Sequence, residues 1–213
     1  MPLKGMIFDL DGTLADTIPV CCAAFRDVMI RQTGTEYSDV EIMARFGPSE
    51  EGIFQQLAGD AWRDCLADYL MTYEREHAAC AEPFPGVPEM LELLAERALP
   101  VAIVTGKGAD SAAISLRALG LDRHFTIVES GSPNGSVKPA SIRRIVGRWG
   151  VDPATVAYVG DAPNDIDEAR SAGVIPVAAA WAVTADRAAL TAQDPAQLFG
   201  SVADLCRWIR HNT

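Results

Sequence analysis

Five short apolar runs, at residues 5–10, 101–105, 125–128, 156–160 and 174–179, are hydrophobic continuously rather than at every second position. A strand with one wet face alternates; a strand covered on both faces does not. The runs therefore predict a parallel sheet sandwiched between helices. The segments between them supply those helices. Val87, Met90, Leu91 and Leu94 fall at i, i+3, i+4 and i+7, as do Ile142, Ile145, Val146 and Trp149, and again Val202, Leu205, Cys206 and Ile209. Alternation of the two patterns predicts an α/β class, with a doubly wound, mainly parallel Rossmann-like sheet.

One interval breaks the alternation. The stretch from Asp9 to Val101 is far longer than a crossover in a compact domain needs. Its surplus is itself helical in pattern: Cys21, Phe25 and Val28 share one face, and Leu66, Tyr69, Leu70 and Tyr73 share another. Glu82-Pro83-Phe84-Pro85-Gly86 forms a stiff return. The expected organisation is a core of residues 1–15 and 85–213, interrupted by a small helical insert at 16–84.

Charge and cysteine usage exclude several classes of partner. Eighteen basic against 29 acidic residues give a formal charge of −11, which repels a phosphate backbone, so no nucleic-acid partner is expected. The longest apolar stretch, 174–183, contains Pro176 and has about half of the ~20 residues a spanning helix requires, so no membrane partner is expected either. The chain begins almost at once with an apolar run reaching Asp9, without a secretory pattern. Five cysteines, an odd number without a CxxC, read as reduced thiols and point to a cytoplasmic protein. The three histidines are scattered and take no role.

Chemistry is concentrated where the apolar runs end. Ligands of open α/β sheets sit outside the carboxyl ends of the strands. Asp9 and Asp11 follow the first run, Thr105 closes the second, and Asp161 follows the fourth, with Asp165 one helical turn beyond; Lys138 opens a helix. So many carboxylates around one crevice demand a cation. Hard oxygen ligands without His or Cys point to Mg²⁺. Phosphoryl transfer is the reaction such a site serves.

The chain resembles the haloacid dehalogenase superfamily in four separated motifs: Phe8-Asp9-Leu10-Asp11-Gly12-Thr13-Leu14, Val104-Thr105-Gly106-Lys107, Lys138-Pro139, and Val159-Gly160-Asp161-Ala162-Pro163-Asn164-Asp165. The resemblance spans essentially the whole chain, including a helical cap between the first two motifs. It implies that Asp9 is the nucleophile, forming an aspartyl-phosphate. Asp11 would protonate the leaving alkoxide and then deprotonate water. Mg²⁺ would rest on the Asp9 carboxylate, the Asp11 carbonyl and Asp161, with Asp165 supporting that set through water or a hydrogen bond. Thr105 and the Gly106 N–H would bind phosphoryl oxygens, and Lys138 would neutralise the transferring group. Gly106 departs from the Asn common at that position, which removes one side-chain contact. Lys107 reads as a lysine at the rim, or as one that supports the site's residues from behind, rather than as a catalytic one.

The implied activity is hydrolysis of a small phosphorylated metabolite, with phosphoglycolate the substrate the resemblance leans toward. Asp11 argues against a true dehalogenase, whose ester leaving group needs no acid. The absence of lysine from residues 16–84 argues against the phosphonate-cleaving relatives. The cap resembles those of phosphoglycolate phosphatases and related pyrophosphatases, notably at Phe46-Gly47-Pro48-Ser49, and Arg45 before that turn is the candidate to meet a substrate carboxylate or second phosphate. The alternatives are a phosphomutase or pyrophosphatase of the same superfamily, and a non-catalytic binding protein that retains the fold.

Overall fold

A computed structural model describes residues 2–80 and 82–213. In chain order its elements are β1 (Gly5–Phe8), α1 (Ile18–Thr33), α2 (Asp39–Met43), α3 (Glu50–Ala58), α4 (Trp62–Glu76), α5 (Val87–Glu96), β2 (Val101–Val104), α6 (Ala109–Ala118), β3 (Val128–Glu129), α7 (Lys138–Trp149), β4 (Val156–Gly160), α8 (Pro163–Ala172), β5 (Ile175–Ala179), α9 (Arg187–Ala192), β6 (Gln197–Phe199) and α10 (Val202–Asn212). The six strands form one sheet in the order β3-β2-β1-β4-β5-β6. Every pairing is parallel.

The continuous apolar runs are explained by what covers the sheet. In β1, Met6 and Phe8 face one layer, where they meet Met90 and Leu94 of α5 and Leu205 and Ile209 of α10. Ile7 faces the other, among Ile142, Ile145 and Val146 of α7 and Ala169 of α8. All four residues of β1 are buried. The strand is flanked by β2 and β4, so the winding direction reverses there and a crevice opens beyond its carboxyl end.

Helices α1 to α4 lie in sequence between β1 and β2 and bury an apolar cluster of their own. At its centre Phe25 stacks on Phe54 with ring centroids 4.7 Å apart and meets Tyr69 at a tilt, 4.6 Å away. Ile114 of α6 joins this cluster, so the inserted helices pack directly on the α6 flank.

Two sheet expectations needed correction. The run at 125–128 contributes a strand only at Val128–Glu129, because Phe125 turns into the core and meets Phe8 edge-on at 6.5 Å. A sixth strand, β6, carries no continuous apolar run; its three residues pair with β5 alone and stay partly exposed. All five cysteines are free thiols. Among the described residues, no helix is long and apolar enough to cross a membrane.

Candidate active site

The chain leaves β1 at Asp9 and turns back on itself at once. The Thr13 and Leu14 amides donate to the Leu10 carbonyl, and the Gly12 amide donates to that of Ala15. Gly12 has φ +70°, and a Cβ there would stand 2.1 Å from Asp161 Oδ2. Only glycine permits both the left-handed backbone and the approach of the β4 loop. Thr13 completes the junction by donating its hydroxyl to Asp161 Oδ1 at 3.0 Å.

Asp9 is almost wholly buried, at 7% exposure. Its Oδ1 accepts the Leu10 amide at 2.7 Å, and its Oδ2 accepts the Lys138 ammonium at 2.8 Å. Lys138 comes from the first turn of α7 and also donates to Asp165 Oδ1 at 2.6 Å. Asp165, in the first turn of α8, accepts the Ala162 amide at 3.0 Å through its other oxygen. The Tyr158 hydroxyl lies 3.2 Å from Asp165 Oδ1 and 3.0 Å from the Val104 carbonyl, so its one proton serves two acceptors. Gly160 is required here as well: a Cβ would come within 2.3 Å of the Asp165 carboxylate.

Burial raises the Asp9 carboxyl from 3.8 to about 6, with Asp165 and Asp11 adding to the rise and Lys138 opposing it. Asp161 is also pushed well above the usual carboxylate range, by burial first and then by Asp165 and Asp9. Lys138 stays firmly charged: burial works against the ammonium, but Asp165 and Asp9 outweigh it. One ammonium thus serves a cluster in which Asp9, Asp161 and Asp165 bring carboxylate oxygens within 4.8 Å of one another. The cluster is short of positive charge. An all-oxygen donor set with that deficit fits a hard divalent cation.

A second buried lysine lies on the other side of Asp11. Lys107 is 4% exposed, so it is not at the rim; its Nζ reaches Asp11 Oδ1 at 3.3 Å, Cys21 Sγ at 3.1 Å and Glu50 Oε1 at 3.8 Å. It also sits 4.4 Å over the Tyr73 ring. Burial opposes its charge, and Asp11 is the strongest of the neighbours that restore it. Asp11 accepts the Thr17 hydroxyl through the same oxygen. Glu50, the first residue of α3, is buried and accepts the Ser111 hydroxyl at 2.6 Å and the Gly108 amide, which ties α3 to the start of α6.

These groups surround one cavity of about 220 Å³ at the carboxyl edge of the sheet. Asp9, Asp11, Thr105, Gly106, Lys138, Asp161 and Asp165 all line it. Thr105 is buried at the end of β2, where its hydroxyl accepts the Lys107 amide at 3.3 Å. Arg45 does not line the cavity. Its guanidinium lies 4.6 Å over the Tyr37 ring and donates to the Glu41 carbonyl, so a cation–π contact and a helix-end carbonyl hold it away. Sequence reasoning missed Glu50, whose place at a helix start looks like an ordinary N-terminal acid. The only signal was its position just after the Phe46-Gly47-Pro48-Ser49 turn.

The model of the haloacid dehalogenase-like hydrolases matches residues 6–179. The chain belongs to this family. Among similar proteins, a phosphoglycolate phosphatase of Synechococcus elongatus is 31% identical over 207 residues, covering 95% of each chain. A pyrophosphatase of Bacillus pumilus is 27% identical over 188 residues, covering 87% of each. A hydrolase from Pseudomonas syringae superposes with a TM-score of 0.80 at 23% identity over 98% of both chains, which shows that the fold is shared.

Proposed function

We propose that this haloacid dehalogenase-like protein is a Mg²⁺-dependent phosphatase that hydrolyses a small phosphomonoester through an aspartyl-phosphate on Asp9. The observation that carries this reading is the Asp9 environment: a buried carboxylate held by one lysine, beside a second acid, within a cavity walled by strand ends. An Asp9 oxygen attacks phosphorus as the ester P–O bond breaks, and Asp11 gives its proton to the departing alkoxide. In the second step Asp11 takes a proton from water as that water attacks the same phosphorus, which returns Asp9 and releases inorganic phosphate. Thr105 and the Gly106 amide orient the phosphoryl oxygens, and Lys138 balances charge on them and on Asp9.

The Asp9 and Asp161 carboxylates and the Asp11 carbonyl would hold Mg²⁺, which when bound withdraws charge from the phosphoryl oxygens and fixes their alignment. Asp165 already spends its oxygens on Lys138, Tyr158 and Ala162, which suits support of that set rather than membership in it. Residues 16–84 act as a cap on the core of 1–15 and 85–213, excluding water and contacting the leaving group.

p-Nitrophenyl phosphate tests the reading. Phosphate release should require Mg²⁺, stop with EDTA, and vanish in Asp9→Asn. Undiminished turnover in EDTA or in Asp9→Asn counts against it. A phosphomutase would move the phosphoryl group to a second hydroxyl without releasing phosphate, a pyrophosphatase would prefer inorganic pyrophosphate, and a binding protein would do none of these.

A further inference from the structure

The two carboxylate oxygens of Asp11 have different surroundings. Oδ1 accepts the Thr17 hydroxyl and lies 3.3 Å from Lys107 Nζ. Oδ2 hydrogen-bonds to no protein group among the described residues, and the side chain, 16% exposed, lines the cavity. The terminal torsion of an aspartate is soft and roughly two-fold, so pinning one oxygen sets the direction of the other. Thr17 serves that contact rather than its own helix: it is the N-cap residue of α1, yet its side chain caps no amide there.

Lys107 is held from both ends. Its amide donates to Thr105 Oγ1 at 3.3 Å, and its carbonyl accepts the Gly131 amide at 2.6 Å. A Cβ on Gly131 would stand 2.0 Å from the Gly106 carbonyl oxygen, so the two loops meet backbone to backbone. At the other end the ammonium has three protons and three acceptors around it: Asp11 Oδ1, Cys21 Sγ at 3.1 Å and Glu50 Oε1 at 3.8 Å. The Tyr73 ring lies 4.4 Å away. Cys21, Glu50 and Tyr73 belong to α1, α3 and α4, so the inserted helices close around the lysine. A lysine on a surface is free to turn, and its ion pairs confer little direction. Buried and gripped in this way, Lys107 has lost that freedom. Among the described residues no other cation pairs with Asp11, because Lys138 is engaged by Asp9 and Asp165.

Resting on the phosphatase reading, we propose that Lys107 is a positioning residue for the general acid: clamped between the loop after β2 and the inserted helices, it joins Thr17 in pinning Asp11 Oδ1, so that Oδ2 is the oxygen that gives its proton to the leaving alkoxide. As the ester P–O bond breaks, the alkoxide oxygen takes the Oδ2 proton, and Asp11 is left as a carboxylate paired with Lys107 through Oδ1. Without the ammonium the carboxyl turns, and its proton is no longer aimed at the departing oxygen. A misplacement of about 1 Å is enough to cost on the order of 100-fold in rate.

The leaving group separates this role from a purely structural one. Ethyl phosphate and 2-phosphoglycolate depart as alkoxides and need the proton; p-nitrophenolate is stable without it. The experiment measures single-turnover release of each alcohol, with Mg²⁺ and enzyme in excess, from the parent, Lys107→Met, Asp11→Asn and the double variant. Lys107→Met keeps the apolar stem and removes the ammonium. It should slow release from the two alkyl esters by about 10–100-fold and from p-nitrophenyl phosphate by less than roughly threefold. In the Asp11→Asn background the same substitution should slow the alkyl esters by no more than about twofold further, because Lys107 acts through Asp11. Lys107→Gln, which leaves a polar donor among the same partners, should show the same bias toward the alkyl esters and carries the test where the methionine variant does not fold. Equal slowing of alkyl and nitrophenyl esters, or effects that multiply fully in the double variant, overturns the proposal while leaving the phosphatase reading intact. A parent protein that releases no p-nitrophenol with Mg²⁺ overturns the phosphatase reading, and the role of Lys107 with it.

Discussion

Asp9 combines two demands that oppose each other: a nucleophile must be ionised, and this one is buried among other acids. In the metal-free protein its carboxyl titrates near 6 rather than 3.8. Between those values the folded chain holds a proton that the unfolded chain has released. The contribution of Asp9 to stability is therefore greatest below 3.8, declines as pH rises through this window, and is gone above 6. Asp9→Asn, which is neutral at every pH, should then stabilise the metal-free protein at pH 8 by about 1–3 kcal/mol relative to its effect at pH 4. Denaturant unfolding of both proteins in EDTA at the two pH values measures this; equal differences at both would contradict it. The motif aspartates, Thr105 and Lys138 were legible in the sequence because each sits at the edge of an apolar run or the start of a helical pattern, and the sheet order brings those edges together. Arg45 was not. The Tyr37 ring that holds it belongs to the chain before α2, and nothing in the spacing shows that the two meet.

At the level of elements, one carboxylate joins the inserted helices to the sheet layer. Glu50 opens α3 and satisfies the Gly108 amide and Ser111 hydroxyl at the start of α6. Glu50→Ala strips those donors of their acceptor inside the protein and should cost about 1–3 kcal/mol, read as a lower denaturation midpoint. Glu50→Gln retains a carbonyl acceptor and should recover most of that loss. If the alanine variant is as stable as the parent, the tether is not structural. The same comparison explains why strands were unequally legible. Strands β1, β2, β4 and β5 lie inside the sheet and read as apolar runs. Strand β6, at the edge, needs only backbone pairing on one side, so Gln197–Phe199 carries no such signal. Strand β3, at the other edge, is cut short because Phe125 is drawn into the core by Phe8.

For the molecule as a whole, a net charge of −11 is accompanied by a cavity in which acids outnumber bases three to one. Cation binding should therefore stabilise the fold. At a hundredfold excess of Mg²⁺ over its dissociation constant the gain is about 2.7 kcal/mol, or a Tm roughly 5–10 °C higher for a chain of this size. Thermal scans with Mg²⁺ and with EDTA check this, and Asp161→Asn should shrink the shift. The same shift in both proteins would place the cation elsewhere. The sheet order has one more consequence, for the chain as it is made. Strand β1 holds Asp9 at the middle of the sheet, yet Ile7 pairs with Ala102 on one side and with Tyr158 on the other. While α1 to α4 fold on local contacts, the strand beneath the nucleophile waits for roughly 150 further residues to leave the ribosome, on the order of 10–30 s at ordinary rates of synthesis. Until then β1 can pair only with β2, so a nascent chain stalled before β4 would leave the other edge of the strand beneath Asp9 unpaired and open to chaperones.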